Sequence, residues 1–384
     1  MSSVRPRPDP TIDRFAQDAT KSFTLAARYY TDPDIAERER HAIFASSWQM
    51  VCHASDVADQ GRYYTATIAG ERLFVVRDHE GVLRAYFNVC LHRGHSILQG
   101  EGQLNRLMTC PYHAWVYDTS GRLKGARMSD RMADFDYEDF QLADIAVQEF
   151  CGFVFVNLAT DAAPMEQLYP GVSDEILARH PEPATLQLAS TSTFEIAGNW
   201  KNVGDNLLEC YHCHPSHKAF VDLIDMSGYR NETFDNWSIQ SGRSNDANQV
   251  YEVASGAQGF ASIFLWPNVS VGQLPGQRGL FIFHFEPTGP ESTMQTLRYY
   301  SPDGQCDDVE LKAMDYFNNV LGPEDVDLVE DVQVGLRSAA YHQGRFVCIP
   351  DRPEISEHAV HHFHSMVRAA LGADGETSRS PSPE

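Results

Sequence analysis

The 384-residue sequence contains no apolar run that approaches the ~18 residues a membrane-crossing helix needs. It is short of positive charge: 30 Lys and Arg face 53 Asp and Glu, a formal net charge of −23. That balance argues against nucleic acid or an anionic membrane as a partner. It leaves an acidic, soluble surface, or a field that draws in a cation. The opening MSSVRPRPDP lacks the apolar core of a signal peptide, so the chain is expected in the cytoplasm. There is no G-x-G-x-x-G and no P-loop, so neither a dinucleotide nor a nucleotide-phosphate cradle is built in. Cysteines are few, at 52, 90, 110, 151, 210, 213, 306 and 348. In a reducing compartment they are expected as thiols or metal ligands rather than disulfides.

With 42% hydrophobic residues the chain can bury a sizeable core, in about two or three domains. Residues 1–10 and 373–384 are rich in Pro, Ser and charge and read as disordered tails. PDIAERERHAIFASSW (33–48) reads as a helix, with Asp32 as its cap. RYYTATIAGERLFVVRD (62–78) has a period of two and reads as two strands around a Gly-Glu turn; GVLRAYFNV and CGFVFVNL continue that character. A small β-domain is expected over 41–160, with residues 1–40 packing on a second domain over 161–372. In that second domain TSTFEIAG reads as a strand and NWKNVGDNLLECYH as a helix stopped near Pro215. A hairpin is expected at 279–302, and three helices in DDVELKAMDYFNNV, PEDVDLVEDVQVGLRSAAY and EHAVHHFHSMVRAAL. Strands and helices mixed without βαβ alternation imply an α+β class.

Two motifs carry chemistry. In the β-region, Cys90-x-His92 is followed seventeen residues later by Cys110-x-x-His113. Two thiolates and two imidazoles in paired short loops can hold a metal, and zinc would accept them. Each loop, however, mixes one Cys with one His. One iron can then take both thiolates and a second both imidazoles, the Rieske [2Fe–2S] arrangement. Gly94 and Pro111 would let the loops close over it, and His95 reads as a loop histidine outside the ligand set.

The second motif is DNLLECYHCHPSH (205–217). His212 and His217 are five apart, about 500° around a helix, and would point about 140° away from each other. His214 and His217, or Glu209 and His212, would share a face. Spacing alone leaves several ligand sets open. A Rieske cluster moves single electrons, so this His/Glu-rich stretch suggests a second centre that uses them.

The Rieske pair, the NWK…DN-x-x-E-x-YH-x4-H stretch and the late acidic ED-x-x-LVE-x-VQ-x-GLRS helix together resemble the oxygenase (α) component of the Rieske non-haem iron oxygenases, over about 35–370. The resemblance implies a small all-β Rieske domain and an α+β catalytic domain with an antiparallel sheet and helices around a mononuclear Fe(II). It implies His212, His217 and Asp325 as iron ligands, with Glu324 the rival to Asp325. His214, Cys210 and Cys213 are left as non-ligands, and Pro215 is expected to end the helix and fold His217 back to the iron. Glu209 would bridge His212 to His113 of a neighbouring subunit in a homotrimer, and Asp205 and Asn206 would line the same site. Electrons would come from a separate NAD(P)H-dependent reductase, because the chain has no flavin or nicotinamide fingerprint. O2 and a small organic molecule are the co-substrates. Glu209, the LRS-AAY-x-x-GRF segment (336–346) and LWPNV (265–269) resemble the branch acting on quaternary ammonium compounds; the alternative is oxygenation of an aromatic acid. Tyr229, Trp237, Phe264, Trp266 and Phe283 are candidate walls of a cation-binding cage. A pure electron carrier and a zinc-stabilised binding protein are the readings from other classes. In the late helix His358, His361, His362 and His364 read as packing residues, although His358 and His362 are spaced for zinc.

Overall fold

The computed structural model describes residue 9 and residues 11–372. The expected tails at 1–10 and 373–384, residue 9 apart, lie outside the described residues. The described residues form two compact units, one of residues 40–173 and 182–185, the other of the described residues up to 39, 174–181 and those from 186 to 372. The boundary falls later than the expected 160/161. Residues 161–173 stay with the smaller unit because Trp48 Nε1 donates to the Ala163 carbonyl (2.8 Å) and the Met165 amide donates to Gln148 Oε1 (3.0 Å).

The smaller unit is built on strands β1 (Gln49–His53), β2 (Arg62–Ile68), β3 (Glu71–Arg77), β4 (Leu83–Phe87), β5 (Glu101–Gln103), β6 (Leu107–Thr109), β7 (Val116–Asp118), β8 (Leu123–Gly125), β9 (Asp144–Phe150) and β10 (Phe153–Asn157). One antiparallel sheet runs β1-β10-β9-β4-β3-β2-β5 and a smaller one β6-β7-β8. The β2–β3 turn is Ala69-Gly70, one residue before the expected Gly-Glu, with φ of 50° and 82°. Two successive positive φ values match the right-handed twist of the flanking strands, and Gly70 adopts its value without steric cost. Alternation along β3 feeds two cores. Leu73 and Val75 join Val51, Ala85, Val154 and Val156, whereas Phe74 and Val76 join Tyr86, Met108, Trp115 and Tyr117. Cys90 and Cys110 are buried in the second of these cores.

The larger unit has strands β11 (Gln187–Ile196), β12 (Arg230–Thr233), β13 (Trp237–Arg243), β14 (Gly259–Leu265), β15 (Val269–Gln273), β16 (Leu280–Gly289) and β17 (Ser292–Ser301). They form one antiparallel sheet in the order β11-β17-β16-β15-β14-β13-β12. The β16–β17 pair is the expected hairpin. The three helices read from the sequence are Asp308–Tyr316, Gly322–Leu336 and His358–Ala370. Asp307 and Glu310 form a capping box at the first. A unit dominated by strands and a mixed unit together agree with the expected α+β class. The helix expected at 33–48 is Pro33–Glu39 followed by a π-turn over Arg40–Phe44; the Asp34 amide donates to Asp32 Oδ1 (2.9 Å).

The helix that begins at NWK behaves differently from expectation. It is capped by Asn199, whose side chain accepts from the Lys201 amide, and spans only Trp200–Leu207. Its last carbonyls are captured from the sheet: Gln240 Nε2 donates to Leu207 O (2.6 Å) and Asn231 Nδ2 to Leu208 O (3.1 Å). These side chains, not Pro215, stop the helix. Pro215 lies inside a separate short helix, Cys213–Ser216, within the first turn, where a missing N–H is tolerated. Glu209 and His212 therefore sit on a turn rather than on one helical face.

Candidate metal centres

The first candidate centre lies in the smaller unit. Cys90 and His92 occupy the loop after β4, and Cys110 and His113 the loop between β6 and β7. Each loop folds on itself through the same pair of bonds. The Cys90 amide donates to His95 O and the Cys110 amide to Trp115 O, both 2.8 Å; Gly94 N and Ala114 N donate back to the carbonyls of Cys90 and Cys110. Gly94 and Ala114 have positive φ values of 73° and 58°. The imidazoles of His92 and His113 meet edge to face at 4.5 Å, and Trp115 stacks on His92 at 4.9 Å. Tyr117 Oη accepts from the Leu91 amide (3.1 Å) and lies 3.5 Å from Cys90 Sγ.

These side chains fit a two-iron cluster. His113 Nδ1 is buried and has no hydrogen-bond partner among the described residues. A nitrogen in that state is costly unless it meets a metal. Cys90 and Cys110 lie buried in one and the same core. A tetrahedral zinc would draw all four donors to one point. Among the described residues the only His/Cys/Asp/Glu set within 4.8 Å of one another is a different one, in the larger unit.

That set is His212, His217 and Asp325. His212 comes from the turn after Trp200–Leu207, His217 from the end of the short helix, and Asp325 from the first turn of Gly322–Leu336. Asp325 Oδ1 lies 2.9 Å from His217 Nε2 and 3.6 Å from His212 Nε2. The two imidazoles stand nearly perpendicular, 4.9 Å apart. Behind them each Nδ1 has its own carboxylate. His212 Nδ1 donates to Glu209 Oε1, and His217 Nδ1 donates to Glu324 Oε2 (2.7 Å). With Nδ1 committed as a donor, both Nε2 atoms are left facing Asp325, the tautomer a metal requires. Burial works against charge here, yet Asp325 and Glu209 raise His212 to about 10. Burial would likewise raise Asp325, but the two imidazoles hold it at about 2. Three carboxylates and two imidazoles so arranged attract a cation strongly. Two His and one carboxylate suit a non-haem Fe(II) with open positions.

A cavity of about 110 Å³ abuts this set. Asn206, Tyr229 and Phe283 line it, as do Phe260, Phe281 and Tyr299, which were not among the residues singled out by sequence. Strand alternation was the available signal, since 281 and 283 share a face of β16. Trp237, Phe264 and Trp266 are not on its wall. Trp237 stacks on Phe234 at 3.9 Å, and Phe264 and Trp266 pack around Phe363 at 5.9 and 5.8 Å. They belong to the core. Asp205 also turns away: Tyr30 Oη donates to its Oδ2 (2.6 Å) and His364 Nε2 to its Oδ1 (2.8 Å). The Leu25 amide donates to His364 Nδ1 (3.1 Å), which fixes that ring as the Nε2–H tautomer. The other late histidines are also structural. His358 Nε2 and His361 Nε2 each lie 2.8 Å from a backbone carbonyl, those of Asn231 and Ala16. Cys210 and Cys213 depart from the expectation of free thiols: they form a disulfide, with Cα atoms 4.9 Å apart across one turn. Their three-residue spacing on a tight turn brings the sulfurs together, and both residues are buried against the cavity.

Residues 47–136 match the Rieske [2Fe-2S] domain, and residues 183–373 match the ring hydroxylating alpha subunit (catalytic domain). The chain is 36% identical over 357 residues to the carnitine monooxygenase oxygenase subunit of Escherichia coli K12, spanning 92% of this chain and 96% of that one. It is 29% identical over 371 residues to the chloroplastic choline monooxygenase of Atriplex hortensis, spanning 94% and 80%. The solved structure of the quaternary ammonium Rieske monooxygenase CntA with L-carnitine superposes with a TM-score of 0.85 at 33% identity, covering 95% of this chain and all of that one. The chain belongs to the Rieske non-haem iron oxygenases, as an oxygenase (α) component. Its cofactors are a Rieske [2Fe–2S] cluster and a mononuclear iron. No helix among the described residues is long and apolar enough to cross a membrane.

Proposed function

We propose that this chain oxygenates a quaternary ammonium compound, using O2 and electrons from a separate NAD(P)H-dependent reductase. The observation that carries this reading is the aromatic-walled cavity against His212, His217 and Asp325, closed by two carboxylates, Glu209 and Asp325. Aromatic faces and carboxylates attract a quaternary ammonium head. An aromatic acid would instead bring a third carboxylate into the same space.

Cys90, His92, Cys110 and His113 hold the cluster, and His212, His217 and Asp325 hold the iron. When bound, the cluster supplies single electrons and the iron activates dioxygen for insertion into a substrate C–H bond. Glu209 fixes the His212 ring and, in a ring of three subunits, accepts from His113 of the next chain. Its present bonds support the first of these roles: its Oε1 accepts from His212 Nδ1 and its Oε2 from the Tyr211 and His212 amides. Glu324 fixes His217 from behind. Asn206 and the aromatic wall orient the substrate and exclude water. The test is oxygen uptake with a reductase and NAD(P)H against trimethylammonium compounds and aromatic acids. Uptake and stoichiometric product with the former support the reading; turnover of aromatic acids alone overturns it.

A further inference from the structure

The cavity wall contains no Arg and no Lys among the described residues. The four cations nearest it in sequence all turn elsewhere; Arg230, beside Tyr229, is exposed and pairs with Glu232 through Nε (3.0 Å) and Nη2 (2.6 Å). Lys201 is buried, with Nζ 2.9 Å from Glu39 Oε2. Lys218, beside His217, is exposed and donates to the His214 carbonyl. Arg298 lies between Leu297 and Tyr299 on β17, and strand alternation sends it to the opposite face.

Neutral donors are also mostly taken within the wall. Tyr229 Oη donates to Gln240 Oε1 (2.9 Å), and Gln240 Nε2 donates to Leu207 O. Tyr299 Oη donates to Asn318 Oδ1 (2.8 Å), and the hydroxyls of Ser262 and Ser270 bond each other (2.7 Å). Apart from the metal-site imidazoles and carboxylates, the wall therefore offers aromatic faces, with the Asn206 and Gln295 amides as its remaining neutral polar groups. An Fe(II) there would be balanced by Asp325 and Glu209, leaving no positive charge over for the substrate. A carboxylate buried in such a space lacks the pairing it needs. A trimethylammonium head has no N–H to satisfy and gains from aromatic faces.

Building on the function proposed above, we propose that the substrate is a quaternary ammonium cation without a carboxylate, of the alkyl- or hydroxyalkyl-trimethylammonium type, rather than a betaine. The acidic chain, at −23, would favour the approach of such a cation.

The experiment is calorimetric binding to the metal-loaded enzyme with no reductase present, so that nothing turns over. Three probes share one shape: choline, its carboxylate counterpart glycine betaine, and its uncharged isostere 3,3-dimethylbutan-1-ol. Choline is expected to bind at least ~10-fold more tightly than either of the others, each of which lacks one favourable term or adds one unfavourable term. Glycine betaine binding as tightly as choline, with the neutral alcohol weaker, overturns the carboxylate-free assignment while leaving the quaternary ammonium reading intact. The neutral alcohol matching choline overturns the quaternary ammonium reading itself. Binding by none of the three overturns both.

Discussion

Glu324 is the sharpest place to test the iron site, because it stands next to Asp325 and could be mistaken for a ligand. Its Oε2 lies 2.7 Å from His217 Nδ1, while Asp325 Oδ1 lies 2.9 Å from Nε2 of the same ring. A carboxylate on the far nitrogen orients the ring and raises its basicity. Removing such a partner costs on the order of 10–100-fold in metal affinity. The His217 side chain is 2% exposed, so water cannot readily replace the lost acceptor; Glu324 is 40% exposed, so solvent already screens its charge. The two effects pull in opposite directions. Together they place Glu324→Ala near the lower end, about 10-fold or 1.4 kcal/mol. Glu324→Gln keeps an oxygen acceptor and loses only the charge, and should cost less, about 3-fold. The assay is competition for Fe(II) against a ferrous chelator of known affinity, with the cluster's visible absorption as an internal control. Complete iron loss in Glu324→Ala, equal to that of Asp325→Ala, would make Glu324 a ligand. Unchanged affinity in both variants would remove it from the site altogether.

Three further outcomes are expected. Glu209→Gln should keep both metals and an electron-accepting cluster but lose most turnover; mixing it with Cys110→Ser chains, which lack the cluster, should restore part of the activity. Failure to recover activity despite verified subunit exchange argues against a route between chains. Tyr117→Phe removes the hydroxyl 3.5 Å from Cys90 Sγ and should lower the cluster's reduction potential in a redox titration, since hydrogen bonds to the sulfurs raise it; an unchanged potential shows that the contact has no electronic effect. Burial, with help from Glu209 and Asp205, pushes the Glu357 carboxyl up to about 7. A carboxyl raised on folding binds a proton in the folded state, so its stabilising effect is present below about pH 4.5 and disappears as pH rises through about 7. Glu357→Gln should therefore gain on the wild type by about 1–3 kcal/mol between pH 5 and 7.5 in denaturant titrations, and parallel pH profiles would refute this.

Local patterns made the first centre readable. Cys90, His92, Cys110 and His113 lie in two short loops whose turn residues and spacing state their geometry within a few positions. The second centre was readable only as a set of candidates. What brings His212 and His217 together is the end of a helix at Leu207, and the groups that end it, Asn231 and Gln240, lie more than twenty residues downstream. No local propensity at Leu208 announces that break. The cavity wall was half readable for a related reason. Alternation puts Phe281, Phe283 and Phe285 on one face, but only the first two reach the cavity; Phe285 lies against Trp200 and Phe264. How far along a strand the space opens depends on where a helix lands on the sheet. Glu324 was seen as a rival to Asp325 because sequence cannot distinguish an atom in front of an imidazole from one behind it.

The bond between Asp205 and its two partners has a practical consequence. Tyr30 precedes the sheet by more than a hundred and fifty residues and His364 follows it, so segments from either side of the sheet meet at the root of the turn that carries Glu209 and His212. Shortening the protein from either side therefore reaches the reaction centre before it reaches any strand of the sheet. Cutting back past Tyr30, or before His364, strips a proton donor from a carboxylate four residues before Glu209. Proteolytic trimming in a cell extract should accordingly appear first as inactive, iron-poor protein that still keeps the colour of its cluster.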